Sequence, residues 1–170
     1  ERKPYKKGDP IKLIFHPTPW RGLNVILGAM QLIKHDNITL DVYSSTKIYG
    51  DDFKDQNDKL YKELYAQAAE LKNVNYKGWH ENKYICDHIT DYQIFPYSNT
   101  WEETSCIAAI EALAAGCHMI TTNNGALFET CSEWPVYVQY DTNYKNMSEC
   151  FAYAINSVVD YLHLDQCQQH

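Results

Sequence analysis

The chain alternates short β-type segments with amphipathic helical segments about six times, and its topology follows from this alternation. Apolar, β-branched or alternating runs predict strands at residues 11–16, 38–43, 74–77, 92–97, 119–122 and 136–139. Apolar residues at helical spacing predict helices at 21–35, 52–71, 81–89, 101–116, 126–132 and 147–164. This order favours an α/β fold, a Rossmann-like domain with a parallel sheet of about six strands and helices on both faces.

The 170 residues are enough for one domain with its own core. Residues 11–170 are predicted to form that domain, and residues 1–10 to be a linker from an upstream domain of a longer protein. Ligands of such sheets bind beyond the carboxyl ends of the strands. Candidate site residues are therefore sought in the segments that follow the strands, at 16–22, 43–47, 78–80, 97–106 and 122–126.

Charge and cysteine content exclude some classes of function. The net charge of −7 argues against a nucleic-acid backbone as partner, although a nucleotide needs only one or two local cations. None of the six cysteines forms a Cys-x-x-Cys pair, which argues against a zinc ribbon and favours free thiols in a reducing compartment. No apolar run is long enough to span a bilayer. We expect a cytoplasmic protein without a bound metal, and peripheral membrane attachment through another domain is the alternative.

The segment 101–116 combines carboxylates with many small residues. If one helix spans it, Ile107, Ile110 and Ala114 form a stripe that faces the core. Glu111 then lies beside that stripe, partly desolvated, where ribose hydroxyls are suitable donors. Glu103 falls in the first turn, where the helix dipole favours negative charge.

The amino end of this predicted helix has two readings. The free amides of Ser105, Cys106 and Ile107 would form an anion site, because the first N–H groups of a helix lack intrahelical partners. Equally, an alanine-rich segment with a carboxylate in its first turn is simply a good helix. Cys106 at a helix start is also a candidate nucleophile, but no histidine is placed to act as its base.

Longer motifs carry a family resemblance. Glu103 and Glu111 are separated by seven residues and follow Phe-Pro-Tyr-Ser at 95–98. The chain then continues as Glu-Ala-Leu-Ala-Ala-Gly, a strand, and Gly-Ala-Leu-Phe-Glu, and it begins with a strand followed by Pro-Trp-Arg-Gly-Leu. This series resembles the signature of the retaining glycosyltransferases of family 4, which have the GT-B fold. The resemblance covers nearly the whole chain, in the right order.

The resemblance implies roles for individual residues. Glu103 would be catalytic and contact the donor sugar, Glu111 would bind the ribose, and the amides of residues 105–107 would meet the diphosphate or the sugar. Arg21, at the basic-Gly-Leu helix start with Gly22, would neutralise the diphosphate. Trp79 or Tyr84 would line the pocket for the nucleotide base, and ordinary packing is the alternative for Trp79. Asn124 with Gly125 would border the site. Glu129 would also border it, but is expected to be structural rather than ligand-binding.

One position departs from the family pattern. Many members have an arginine five residues before the basic residue of the Gly-Leu start, and here that position is His16. A neutral histidine is a weaker phosphate clamp, so the cationic charge would rest on Arg21. Lys47 is a candidate to compensate.

The resemblance implies the carboxyl-terminal, donor-binding half of an enzyme that transfers a hexosyl group from a UDP- or GDP-sugar with retained configuration. Its partners would be the amino-terminal acceptor-binding domain and a glycan or lipid-linked acceptor, as in polysaccharide biosynthesis, and this half alone would be inactive. A non-catalytic nucleotide-sugar binding module and a sugar-nucleotide epimerase-like enzyme are the alternatives. A phosphorylase would need a lysine motif for a pyridoxal cofactor, which the sequence lacks.

Overall fold

A computed structural model describes residues 5–6 and 8–165, with the side chain of residue 165 excluded. Its six strands form one parallel sheet in the order β3-β2-β1-β4-β5-β6, which confirms the predicted Rossmann-like α/β fold. The strands are β1 (Ile11–Phe15), β2 (Ile38–Val42), β3 (Val74–Tyr76), β4 (Ile94–Tyr97), β5 (His118–Thr122) and β6 (Val136–Val138).

Seven α-helices connect or flank the strands in the described part of the chain. They are α1 (Leu23–Met30), α2 (Asp51–Asn57), α3 (Lys62–Glu70), α4 (Asn82–His88), α5 (Ile107–Ala114), α6 (Leu127–Cys131) and α7 (Tyr144–Asp165). No helix among the described residues is both long and apolar enough to cross a membrane.

Two apolar layers cover the two faces of the sheet. Successive side chains of β1 point to opposite faces, so Leu13 and Phe15 pack in the layer that contains α1 and α7, while Ile14 packs in the other. That second layer contains buried residues of α4, α5 and α6. Both faces of the central strands are therefore buried, which is why the sequences of β1 and β4 are nearly continuous apolar runs.

Two predicted helices are shorter or divided. The helix predicted at 21–35 is α1, Leu23–Met30. The helix predicted at 52–71 is interrupted by a 3₁₀ turn, Asp58–Tyr61, between α2 and α3. Because that turn breaks the helical period, Leu60 is exposed, whereas Leu64 and Leu71 pack against the core.

The helix predicted at 101–116 begins later than expected. Residues 101–106 form a loop, and α5 starts at Ile107. The predicted core stripe is wrong: Ile107 is 70% and Ile110 49% exposed, and Ala114 is exposed. The face that packs is made of Ala109 and Ala112, whose small side chains let the helix approach the sheet closely.

The predicted linker and cysteines fall partly outside the described residues. Of residues 1–10, Tyr5 packs partly against the core, and positions 1–4 and 7 lie outside the description. Five cysteines are free thiols, at positions 86, 106, 117, 131 and 150, and Cys167 lies beyond the described chain.

Candidate functional site

The strand order reverses between β1 and β4, and the segments that follow these two strands meet there. A 3₁₀ turn, Pro19–Arg21, leads into Gly22, whose φ is 95°. A Cβ at Gly22 would lie 1.7 Å from the carbonyl oxygen of Ser98, and the Ser98 hydroxyl donates to the Gly22 carbonyl at 2.7 Å. The backbones therefore touch, and only glycine fits at this position.

Arg21, Tyr97 and Glu103 form a buried polar group at this reversal. The Glu103 carboxylate is paired with Nη1 of Arg21 and accepts from the Tyr97 hydroxyl. Glu103 is 9% exposed, so the cation and the hydroxyl replace the water that it has lost. Burial raises the pKa of Tyr97, which keeps its hydroxyl protonated as a donor.

The prediction that Glu103 lies in a first helical turn is wrong, because three loop residues separate it from α5. The loop after β5 holds it instead. Gly125 has a φ of +61°, and a Cβ there would lie 2.4 Å from the Glu103 nitrogen. The Ala126 amide donates to the Glu103 carbonyl at 2.8 Å. Gly125 and Ala126 thus lie against the Glu103 loop, whereas Glu129 is exposed on α6.

The predicted amide cluster is also placed differently. Cys106 is the residue that caps α5, and Ser105 lies before it in the loop, so of the three predicted residues Ile107 alone is in the first turn. The Cys106 side chain makes no capping hydrogen bond. Burial raises the pKa of the Cys106 thiol, which is the opposite of what a thiolate nucleophile requires.

Glu111 is half-buried on α5, and α4 contacts it. Its Oε1 accepts a hydrogen bond from Asn82 Nδ2 at 2.9 Å and lies 3.6 Å from Cys86 Sγ. Asn82 and Cys86 are one helical turn apart on α4. Neither residue is predictable from sequence pattern, because their contact with Glu111 depends on the packing of α4 beside α5.

A cavity of about 180 Å³ opens beside the carboxyl ends of β1, β2 and β3. Its lining includes Tyr43 and Lys47, from the segment after β2, and Trp79 and Asn82, from the segment after β3. Lys47 Nζ stands 4.7 Å from the centre of the Trp79 ring, and Trp79 is 37% exposed. Trp79 therefore lines a cavity and is not simply packed in the core. Tyr84 does not line the cavity, but its ring packs on His80 at 4.5 Å.

Two imidazoles of this cavity have buried nitrogens without partners. His16 Nε2 and His80 Nδ1 have no hydrogen-bond partner among the described residues. Burial lowers the pKa of His16 to about 4, so this side chain is neutral at physiological pH. Lys47 is the one lysine or arginine among the described residues that line this cavity, and its Nζ lies 3.1 Å from Asp51 Oδ1.

Asp58 holds the segment that carries Lys47. Its carboxylate accepts hydrogen bonds from the Ser45 hydroxyl, from the Thr46 amide and hydroxyl, and from the Tyr65 hydroxyl. Burial alone would raise the pKa of Asp58, but these hydrogen bonds outweigh it and lower the pKa. Sequence reasoning missed this residue because it lies in the interruption between α2 and α3.

Two further properties of the described residues bear on the site. No group of three or more His, Cys, Asp or Glu side chains lies close enough together there to hold a metal ion. A larger cavity, of about 460 Å³, is lined by Gly116 to Met119 at the amino end of β5. It lies at the opposite edge of the sheet from Arg21 and Glu103, and it lacks their charged groups.

Residues 3–157 match the protein family described as glycosyl transferases group 1. The chain belongs to this family. No curated protein sequence matches it.

Solved structures of glycosyltransferases share the fold. HepE from Anabaena, solved in complex with UDP-glucose, superimposes with a TM-score of 0.66 at 13% identity, over 94% of this chain and 42% of that one. The carboxyl-terminal domain of the group 1 protein LpcC from Francisella tularensis gives 0.64 at 17% identity, over 94% and 82%. The catalytic domain of cholesterol-α-glucosyltransferase from Helicobacter pylori gives 0.58 at 14% identity, over 95% and 99%. The chain thus spans less than half the length of HepE.

Proposed function

We propose that this group 1 glycosyltransferase chain is the donor-binding domain of a retaining family 4 enzyme, which transfers a hexosyl group from a UDP- or GDP-sugar. The observation that carries the proposal is the arrangement along one sheet edge. Arg21 and Glu103 meet at the strand reversal, and Asn82 joins Glu111 to the cavity that contains Trp79. Ligands of open parallel sheets bind at this reversal.

In the proposed mode of binding, the base enters the cavity beside Trp79 and the ribose hydroxyls donate to Glu111. A nucleobase has polar edges, and His16 Nε2 and His80 Nδ1 are buried polar atoms that lack partners among the described residues. Such atoms are costly to leave unpaired, so a ligand that pairs with them gains affinity. Trp79 offers the ring face on which a planar base can stack.

Arg21 is proposed to meet the diphosphate while it remains paired with Glu103. A guanidinium has five N–H donors, and the contacts to Glu103 and Tyr97 both fall on Nη1. Nη2 and Nε are therefore available for phosphate oxygens. Lys47, at the cavity, is the second cation in this proposal, in place of an arginine at position 16.

The chemistry follows from the charges that develop in such a reaction. Negative charge grows on the leaving diphosphate, where Arg21, Lys47 and the amides near the start of α5 would stabilise it. Positive charge develops at the anomeric carbon, beside which Glu103 is proposed to act. No metal is required in this scheme, because cationic side chains and amides supply what a metal supplies elsewhere.

Several parts of the proposal concern a longer protein. The chain spans 42% of HepE, so transfer is proposed for a protein in which an amino-terminal acceptor-binding domain accompanies this chain. The acceptor is proposed to be a glycan or a lipid-linked glycan, in polysaccharide biosynthesis in the cytoplasm. HepE carries UDP-glucose in its structure, which supports a UDP-sugar as the first donor to test.

Calorimetry with UDP, GDP and ADP tests this proposal. We expect the chain to bind at least one of them weakly, to bind it less tightly after Glu111→Ala, and not to turn over a sugar nucleotide by itself. Absence of binding by all three, or equal binding by Glu111→Ala, would overturn the assignment of the site.

A further inference from the structure

The Glu111 carboxylate is held from a neighbouring helix rather than from its own. Asn82 Nδ2, at the start of α4, donates to Glu111 Oε1 at 2.9 Å. The two residues are 29 positions apart, so this hydrogen bond fixes the side chain of one helix relative to the other. A hydrogen bond from a neutral donor to a carboxylate is among the stronger side-chain contacts in proteins.

Both contacts to Glu111 fall on the same oxygen. Asn82 Nδ2 and Cys86 Sγ each approach Oε1, and Oε2 has no hydrogen-bond partner among the described residues. A carboxylate held by one oxygen cannot rotate freely, and the other oxygen then faces a fixed direction. That second oxygen retains its full capacity to accept hydrogen bonds from a ligand.

Asn82 also belongs to the wall of the cavity, together with Trp79 and His80. One side chain therefore touches both parts of the proposed nucleoside site, the cavity for the base and the carboxylate for the ribose. The distance between these parts is set by the segment from Trp79 to Asn82 and by the Asn82–Glu111 hydrogen bond.

We infer that Asn82 is a positioning residue, which orients Glu111 for the vicinal hydroxyls of a ribose; this inference rests on the proposed function. The neutral amide is suited to the task, because it donates to the carboxylate without neutralising its charge. Cys86 is the lesser partner, since a thiol is a weak donor and its sulfur lies 3.6 Å away. Burial and the Glu111 charge raise the pKa of Cys86, so the thiol stays protonated and continues to donate.

The test compares the binding of UDP, or of GDP or ADP if one binds more tightly, by the wild-type chain, Asn82→Ala and Asn82→Asp between pH 8 and pH 5. Asn82→Ala is expected to weaken binding about three- to tenfold at all pH values. Asn82→Asp places a second carboxylate against Glu111, so the loss at pH 8 should be about tenfold or more. As the pH falls, one shared proton restores a hydrogen bond between the two carboxyl groups, and the loss should shrink to about threefold or less.

The variant Kd is divided by the wild-type Kd at the same pH. The effect of the nucleotide phosphate's own titration is common to both values and cancels in this ratio. Lys83→Ala is the matched control, because Lys83 is exposed on the same helix and pairs with Asp87. It should bind as the wild type does, and circular dichroism checks that all variants fold.

The outcomes separate the two proposals. A wild-type chain that binds no nucleotide overturns both. If the wild type binds and Glu111→Ala does not, but both Asn82 variants match the wild type, the positioning role alone is overturned. An Asn82→Asp loss that is independent of pH also overturns it, because a merely structural role would give that result.

Discussion

Arg21 Nη1 and the Glu103 carboxylate form an ion pair between residues 82 positions apart, at the point where the strand order of the sheet reverses. This pair joins the segment after β1 to the segment after β4. The Tyr97 hydroxyl contacts the same carboxylate oxygen, so the three side chains act as one buried polar unit. The two residues proposed for the diphosphate and the sugar are therefore already adjacent in the folded chain.

Removal of the Glu103 charge is expected to destabilise the fold. Glu103→Gln leaves the partly buried Arg21 without its counter-ion, and we expect a loss of about 2 kcal/mol in the free energy of unfolding. Urea titration at pH 7 measures it. The control is Glu102→Gln, because Glu102 is exposed in the same loop. Equal stability of the two variants would show that the ion pair contributes little.

Gly125→Ala should disrupt the approach of the β5 loop to Glu103. The new Cβ would lie 2.4 Å from the Glu103 nitrogen, in addition to the strain of a positive φ. Gly78→Ala is the control, because it carries the backbone strain without the close contact. Gly78 has a φ of +71° and open space around its Cβ position. By urea titration, Gly125→Ala should be the less stable variant by about 1 kcal/mol or more. A smaller cost at Gly125 than at Gly78 would contradict the close approach.

The burial of His16 makes stability depend on pH. Its folded-state pKa of about 4 lies below its ordinary value of 6.5, so the unfolded chain binds more protons between these values. The contribution of His16 to stability is therefore complete above pH 6.5 and falls as the pH drops toward 4. The free energy of unfolding, measured from pH 4 to 7, should rise less steeply in His16→Gln than in the wild type. His88→Gln is the comparison at a half-buried histidine of α4, and parallel curves for the wild type and His16→Gln would refute the burial effect.

The sheet and the segments that follow its strands were predictable from the sequence for a physical reason. Strands that are buried on both faces are nearly continuous apolar runs, as β4 is and as β1 is apart from Lys12, and the connecting helices carry the complementary pattern. The order of such elements leaves few topologies, and the predicted segments 16–22, 43–47, 78–80 and 97–106 all contribute to the described site.

The errors lie where tertiary contacts override local pattern. Residues 101–106 carry no helix-breaking signal, yet the pairing of Glu103 with Arg21 holds them as a loop. Ile107 and Ile110 fit a core stripe by spacing, but the helix packs through Ala109 and Ala112. Asn82 was not predictable, because it becomes significant only through its contact with Glu111 on another helix.

The most direct test of the proposed site is a nuclear magnetic resonance titration of the ¹⁵N-labelled chain with UDP, and with GDP or ADP if these bind more tightly. We expect the amide signals of the non-proline residues in 16–22, and those of residues 78–82 and 103–111, to shift in a saturable manner. Signals that line the larger cavity, such as those of His118 and Val136, should stay unchanged. Saturable shifts confined to that larger cavity, or no shifts with any of the three nucleotides, would contradict the proposed nucleotide site.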